Sequence, residues 1–155
     1  MKTVPFRVLR CAMPGVHAVE ACSAHSFPRH THDQFGIGLI REGAQRSLSG
    51  RGMVEAGPGM MITVNAGEVH DGMPIGDSGR RWSMLYFDPE VLRGMAIGLG
   101  AADGDVEFHH PVMDQRNLSA RFESLYRAMT HAGGDGSAAE ELALLLFDRL
   151  VPARR

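Results

Sequence analysis

Two histidines one residue apart, His30 and His32, lie in FPRHTHDQFGIGLIREG (27–43), at the start of an apolar run punctuated by glycines. On a strand every second side chain points to the same face, so both imidazoles are expected to share a face, with Cα atoms roughly 6–7 Å apart. A third histidine, His70, follows a predicted strand and a glycine turn in NAGEVHDG (65–72). Three imidazoles that converge can bind one metal ion, one anion or one hydroxylated molecule.

The segment 1–88 consists of short apolar stretches separated by glycine and proline turns. Four or more predicted strands with turn signals every 8–12 residues are typical of a β-sandwich or barrel. LSGRGM (48–53) predicts a hairpin in which Gly50 and Gly52 supply positive φ angles. Strand pairing in a small antiparallel barrel would bring His70 opposite His30 and His32. No helical period interleaves with these strands, which argues against a parallel α/β sheet.

The segment 89–155 changes to helical periodicity. Asp88 and Pro89 are an N-cap and a first helical residue, so a helix is expected to begin there. Two longer amphipathic helices are predicted at about 114–131 and 137–150. The apolar face of the last one either forms a two-fold dimer contact or packs within the chain; its leucines are Leu142, Leu145, Leu146 and Leu150.

Composition excludes several classes of function. The net charge is −2 and the chain has a single lysine, which argues against a broad basic surface for nucleic acid. No apolar run is long enough to cross a bilayer, and the first residues do not form a secretory signal. Cys11 and Cys22 lack zinc-type spacing. We therefore expect one cytoplasmic domain with reduced thiols and no membrane partner.

The first histidine motif resembles that of the cupins, a family of small β-barrels. The family motif is His-x-His, then a glutamate three or four residues on, then a glycine seven further. His30, His32 and Gly43 match it, but Gly36 stands where the glutamate would be.

The second cupin motif is Gly, five residues, Pro-x-Gly, two residues, His. Gly59, Gly67 and His70 match this motif, and Asn65 replaces the proline. The resemblance therefore implies a cupin-like antiparallel β-barrel, or jelly roll, followed here by two C-terminal α-helices. It also implies a metal site, here reduced to His30, His32 and His70.

A narrower resemblance covers nearly the whole chain. The order HTHDQFGIGLIREG, AGPGMMITVNAGEVHDG and WSMLYFDPEVL, with helices after it, is similar to the N-terminal effector-binding domain of AraC-type transcription regulators. The resemblance implies a sensor barrel with an N-terminal arm (1–88) and a helical segment for dimerisation and linkage (89–155). DNA would be bound only by a helix-turn-helix domain that this chain does not contain, so the chain is interpreted as the sensor half of a regulator.

The same resemblance places Ile40, His70, Trp82 and Met84 near the sensor pocket. We add His30 and His32 from the motif, and Gly36, because its missing side chain is expected to leave a gap on the interior face. Three uses of the histidines stay open: contacts to an organic effector, ligands for Zn²⁺, Ni²⁺ or Fe²⁺, or hydrogen-bonded structural groups. Nearby Arg29, Arg41 and Arg81 would favour an anionic or hydroxylated effector.

The expected function is effector sensing, with no catalytic residue assigned. The alternative from another class is a metal-dependent cupin enzyme, a dioxygenase or isomerase that uses the three histidines. A third alternative is an interaction module with an empty barrel, which would respond to no small molecule.

Overall fold

The computed structural model describes residues 6–76, 78–101, 105–131 and 133–151. This part of the chain is mainly β, with three helices toward its C-terminal end. The strands are β1 Phe6–Leu9, β2 Val16–Ser23, β3 Phe27–His30, β4 Phe35–Glu42, β5 Gln45–Ser49, β6 Gly52–Ala56, β7 Met61–Val64, β8 His70–Pro74, β9 Arg80–Phe87 and β10 Val112–Met113. The helices are α1 Pro89–Gly98, α2 Arg116–Thr130 and α3 Gly136–Leu150.

The strands form two antiparallel sheets. The larger has the order β1-β2-β9-β4-β7-β10, and the smaller has the order β3-β8-β5-β6. The predicted jelly-roll class, with helices after the strands, is confirmed, with two differences. The first is that the sheets do not close into one barrel. The second is that a short strand, β10, follows α1 and precedes α2 in the chain and pairs with β7.

The larger sheet has two covered faces, as the alternation along β4 and β9 shows. Ile37 and Leu85 pack in a core cluster that also contains the buried faces of the helices. Ile40, Trp82 and Met84 belong to a second cluster on the opposite face. Because successive strand residues point to opposite faces, Leu85 and Phe87 of β9 face the helices, and the even-numbered residues face the interior between the sheets.

The helices bury their apolar faces against this chain's own sheet. The predicted stripe of α2 is fully buried: Leu118, Phe122, Leu125, Tyr126 and Met129. On α3, Leu146 and Leu150 are buried in the same cluster, whereas the side chain of Leu145 is 49% exposed. The leucine face of α3 is therefore mainly an intramolecular contact, and Leu145 is its outward-facing member.

Two tight turns depend on glycine. In the β5–β6 hairpin Ser49 pairs with Gly52, and Gly52 has a φ of 98°. Gly50 does not have a positive φ, so that part of the hairpin prediction is wrong. At Gly43, φ is 71° and a Cβ would lie 2.2 Å from the carbonyl oxygen of Gly79, so a larger residue would meet both strain and a backbone clash.

An ion pair joins the larger sheet to α2. Both terminal nitrogens of Arg41 donate to the carboxylate of Glu123, at 2.6 and 2.9 Å, and its Nε donates to Ser83. The pair is largely shielded, with side-chain exposures of 19% for Arg41 and 27% for Glu123. Hydrogen bonding to Arg41, opposed by partial burial, lowers the pKa of the Glu123 carboxyl. Bidentate Arg–carboxylate pairs are among the stronger polar contacts in proteins.

Replacing Glu123 by glutamine is expected to lower the free energy of unfolding by about 2 kcal/mol near neutral pH, because the charge-assisted contacts are lost. Since the folded-state pKa is lowered, this stabilisation is present above the ordinary carboxyl pKa and is lost as pH falls through the folded value. Denaturant unfolding of both proteins at about pH 7 and pH 3 measures the difference, which should shrink in acid. Glu55→Gln is the matched control, because its pair with Arg46 is exposed. An equal loss in the two variants would contradict a special role for Arg41.

Candidate functional site

A cavity of about 160 Å³ lies between the two sheets. Its polar wall contains His30, His32, Gln45, His70 and Arg80. Its apolar wall contains Phe6, Phe27, Trp82, Met84 and Tyr86. A concave, mostly apolar space with a few convergent polar groups is the usual form of a small-molecule site.

The three histidines converge at this cavity. His30 and His70 are direct cross-strand partners in β3 and β8, with ring centroids 4.3 Å apart. The His32 ring lies 4.8 Å from that of His30 and 5.0 Å from that of His70. One potential ligand nitrogen from each ring lies within 4.8 Å of the others. The expectation that His30 and His32 lie on one strand is wrong, however, because His30 ends β3 and β4 begins only at Phe35.

Backbone carbonyls fix the tautomers of two rings. The Nδ1 of His30 lies 2.6 Å from the carbonyl oxygen of Pro28, and the Nδ1 of His70 lies 3.1 Å from that of Glu68. A carbonyl oxygen only accepts, so each Nδ1 carries the proton and donates it. In a neutral ring the lone pair is then on Nε2, which is available to a ligand.

The surroundings favour the neutral form of His32 and of His70. Burial, followed by the neighbouring His70 and His30, lowers the pKa of His32. Burial also lowers the pKa of His70, with His30 adding to the effect and the Glu68 carbonyl opposing it. Desolvation disfavours the imidazolium, and like charges at this distance disfavour it further. His32 and His70 therefore present lone pairs rather than positive charges at neutral pH.

This donor set fits a transition metal with an open coordination position. Neutral imidazoles suit Zn²⁺, Ni²⁺ and Fe²⁺, and His30, His32 and His70 would hold the ion. Carboxylates near the group have other roles: Glu68 accepts from the backbone N–H groups of Gly50 and Asn65, and Asp71 accepts from that of Leu48.

Gly36 does not leave the expected gap. It pairs with Tyr86 across β4 and β9, and a Cβ at Gly36 would lie 2.9 Å from Cε of Met84 and 3.2 Å from Cε1 of Tyr86. The two side chains from the neighbouring strand fill the space where the cupin glutamate would begin. The predicted opening at this position is therefore wrong, and Tyr86 and Met84 line the cavity instead.

Trp82 and Met84 line the cavity, whereas Ile40 lies behind it. The Trp82 ring packs edge-on against Phe6 and Phe27, with centroids 6.3 and 6.1 Å away. Ile40 pairs with Trp82 across β4 and β9 and is fully buried in the cluster around it. Ile40 therefore supports the Trp82 wall without being part of the lining.

The sequence interpretation missed the arginine of the cavity. Arg41 binds Glu123, Arg81 binds Glu42, and Arg29 is exposed; none of them lines the cavity. Arg80 lines it instead. The usable signal was the alternation along RRWSMLYF, which places Arg80 on the same face as Trp82, Met84 and Tyr86.

The predicted N-terminal arm reaches the cavity through Phe6. β1 is the edge strand of the larger sheet and pairs with β2, and the Phe6 ring lies 5.6 Å from that of Phe27. The Phe6 side chain is 52% exposed, so it covers the aromatic wall from the outside. Residues 3–5 of the predicted arm lie outside the described residues.

A family model described as the AraC-like ligand binding domain matches residues 14–147 of this chain. The chain belongs to this family. The match includes both sheets from β2 onward, the three histidines and nearly all of α3. The resemblance to the effector-binding domain of AraC-type regulators, expected from the order of the three segments and the helices after them, is therefore confirmed.

Solved structures share part of the domain at low identity. A Bacillus subtilis oxalate decarboxylase (its S161A mutant) is 15% identical, with a TM-score of 0.44, over 48% of this chain and 21% of that one. The match thus spans about a fifth of the decarboxylase. Protein NMB1881 from Neisseria meningitidis is 14% identical, with a TM-score of 0.47, over 56% of this chain and 87% of that one. No curated protein matches significantly. In the described part of the AraC-like domain, no helix has the length and apolar character needed to span a bilayer.

Proposed function

We propose that this AraC-like domain binds a small-molecule effector in the cavity between its sheets and is the sensing part of a transcription regulator. The observation that carries the proposal is the convergence of three imidazoles on the cavity lined by Trp82. The family match supports an effector-binding role and favours regulation over catalysis. In this proposal, DNA is bound by a separate helix-turn-helix domain of the regulator. The regulator acts in the cytoplasm.

The cavity limits the size and chemistry of the effector. An engineered cavity of about 150 Å³ is known to bind benzene, so about 160 Å³ suits a molecule of one ring or a short chain. The Nε2 atoms of His30 and His70 accept hydrogen bonds from hydroxyl or amine groups. Trp82 supplies a flat apolar surface, on which a sugar or an aromatic ring stacks.

Effector binding must favour one arrangement of the helices to act as a signal. Trp82 pairs with Ile40, and the next residue, Arg41, binds Glu123 on α2. These contacts provide a direct physical connection from the cavity wall to the helical layer. We place the homodimer contact on the exposed side of the helices, where Leu145 is outward-facing.

A metal-dependent use of the same site is the second candidate, and the donor set of His30, His32 and His70 favours it. A bound Zn²⁺, Ni²⁺ or Fe²⁺ supplies Lewis-acid chemistry at its open position. In that case the domain would sense the metal or would be a cupin enzyme of the dioxygenase or isomerase type. The chain's own residues then hold and orient the ion: the Pro28 and Glu68 carbonyls keep Nε2 of His30 and His70 free.

Two measurements on the same preparation separate the candidates. Protein purified without a histidine tag or chelator is analysed for metal by plasma mass spectrometry, then heated with sugars, organic acids and aromatic compounds. The proposal predicts a metal content far below one per chain and a higher melting temperature with at least one compound class. About one metal per chain would favour the metal site, and a metal-free protein that responds to no compound class would contradict sensing.

A further inference from the structure

Arg80 is a buried cation at the edge of the cavity. Its residue exposure is 1%, although it is the first residue of β9 and lines the space between the sheets. Burial lowers the pKa of Arg80 to about 10, which leaves the guanidinium charged at neutral pH. Buried charges in proteins are normally paired with an opposite charge, because leaving water is costly.

The partners of Arg80 among the described residues are all neutral. Its Nε donates to Oε1 of Gln45 at 2.9 Å, and its Nη1 donates to the carbonyl oxygens of Ser23 and His25 at 3.3 and 3.2 Å. Its guanidinium carbon lies 4.5 Å from the centre of the Trp82 ring. Within residues 6–76, 78–101, 105–131 and 133–151, no carboxylate forms an ion pair with Arg80.

Two hydrogen-bond donors at this position lack acceptors in the described part of the chain. Nη2 of Arg80 makes no hydrogen bond there and lies 3.4 Å from where a Cβ of Gly72, another lining residue, would stand. The side-chain oxygen of Gln45 accepts from Arg80. The amide nitrogen of Gln45 has no hydrogen-bond acceptor among the described residues. The corner of Arg80, Gln45 and Gly72 therefore offers donors and a positive charge together.

We propose that this corner, together with the Trp82 ring, is an anion subsite and that the effector is a small carboxylate with a flat apolar body. One carboxylate oxygen accepts from Nη2 of Arg80 and the other from the amide of Gln45. The body lies along Trp82, on the side where β9 continues to Met84 and Tyr86. This inference rests on the proposed sensing function and assigns the chemical class of its ligand.

A carboxylate should bind beside the buried Arg80 more tightly than a neutral group of the same shape. Carboxylate–guanidinium hydrogen bonds are about twice as strong as neutral ones, and a low dielectric strengthens them further. A neutral amide of the same shape keeps one acceptor oxygen but brings no charge to Arg80, and its own N–H groups face donors. The cavity should therefore discriminate a carboxylate from its amide by about tenfold or more.

The test uses benzoate against benzamide, and acetate against acetamide, as matched pairs. Trp82 is the single tryptophan of the chain, so its fluorescence reports on this wall of the cavity. We expect benzoate to change the fluorescence with an affinity at least about tenfold higher than that of benzamide. Equal affinities within the pairs would overturn the anion subsite while leaving effector sensing intact. No response to either carboxylate would also overturn it, and the wider screen of sugars and metals would then decide sensing separately.

Gln45→Glu tests both donors of the corner together, because it removes the Gln45 amide and places a negative charge beside Arg80. The substitution keeps the oxygen that accepts from Nε and puts a carboxylate beside the guanidinium, so the protein supplies its own counter-ion. We expect a higher melting temperature without ligand and a loss of benzoate binding of about tenfold or more. Arg81→Met is the matched control, because Arg81 is half-exposed and pairs with Glu42. Benzoate binding that is unchanged in Gln45→Glu, or equally weakened in Arg81→Met, would overturn the assignment.

Discussion

Replacing Leu146 by arginine is expected to unfold the domain at room temperature, whereas the same replacement at Leu145 leaves it folded. Leu146 is fully buried between α3 and the sheet, and Leu145 is 49% exposed. Truncating a buried leucine to alanine costs about 2–5 kcal/mol, and a charge at that position costs more. Because domains of this size are stable by roughly 5–15 kcal/mol, Leu146→Arg removes most or all of that margin. Circular dichroism melting of the two variants measures the contrast.

The Leu145→Arg variant also tests the proposed dimer contact. An exposed position away from packing contacts tolerates substitution within about 0.5 kcal/mol, so any change in mass reflects assembly and not folding. If the wild-type domain is a dimer through α3, light scattering should show the variant as a folded monomer. A Leu146→Arg protein that melted like wild type would contradict the core assignment of α3.

The second large effect is expected at the histidine cluster. His70→Ala removes the ring that pairs with His30 across β3 and β8. For an organic effector, losing one neutral hydrogen bond should weaken binding about tenfold or less. For a metal held by three imidazoles, losing one ligand should weaken binding by about 100-fold or more. Titration of Zn²⁺ and of the best compound from the screen, on wild type and variant, separates the two uses of the cluster.

His109→Ala is the control for this experiment, because His109 is exposed and is not among the lining residues. It should bind the compound and Zn²⁺ as wild type does. If His70→Ala bound both the compound and Zn²⁺ with unchanged affinity, neither ligand would contact His70, and the ring would be structural.

The convergence of the histidines was predictable because it depends on local rules. A His-x-His segment and a histidine after a glycine turn lie at strand ends, and antiparallel pairing brings such ends together. The exact path was not predictable: His30 belongs to β3 of the smaller sheet, and residues 31–34 lead to β4 of the larger one. A short polar connection between two strands carries too little periodicity to reveal a change of sheet.

The filling of the space at Gly36 could not be predicted from the sequence. It depends on the register between β4 and β9, which sets Tyr86 opposite Gly36. A shift of one residue would put every side chain of a strand on the other face, and no pattern in either strand alone determines the match. The missing glutamate was visible in the sequence, but the tyrosine and methionine that occupy its space were not.

The role of Arg80 was hidden for a related reason. Arg80 and Arg81 are adjacent and chemically identical, but they lie on opposite faces of β9: Arg80 is buried at the cavity between the sheets, and Arg81 is half-exposed on the other face. The sequence interpretation chose Arg81 together with Arg29 and Arg41. Whether an arginine faces the cavity depends on the residue that it contacts. Arg41 contacts Glu123 and Arg80 contacts Gln45, and both contacts join distant parts of the chain.

The most direct test of effector binding between the sheets is the indole N–H resonance of Trp82 in isotopically labelled protein. Because the chain has one tryptophan, this signal has a single source. The compound that raises the melting temperature most is titrated while the indole signal and the ring signals of His30, His32 and His70 are recorded. We predict saturable shifts of the indole and of the three histidines with one common dissociation constant. If a compound raised the melting temperature while the four side-chain signals stayed unchanged, it would bind elsewhere, and the account would be contradicted.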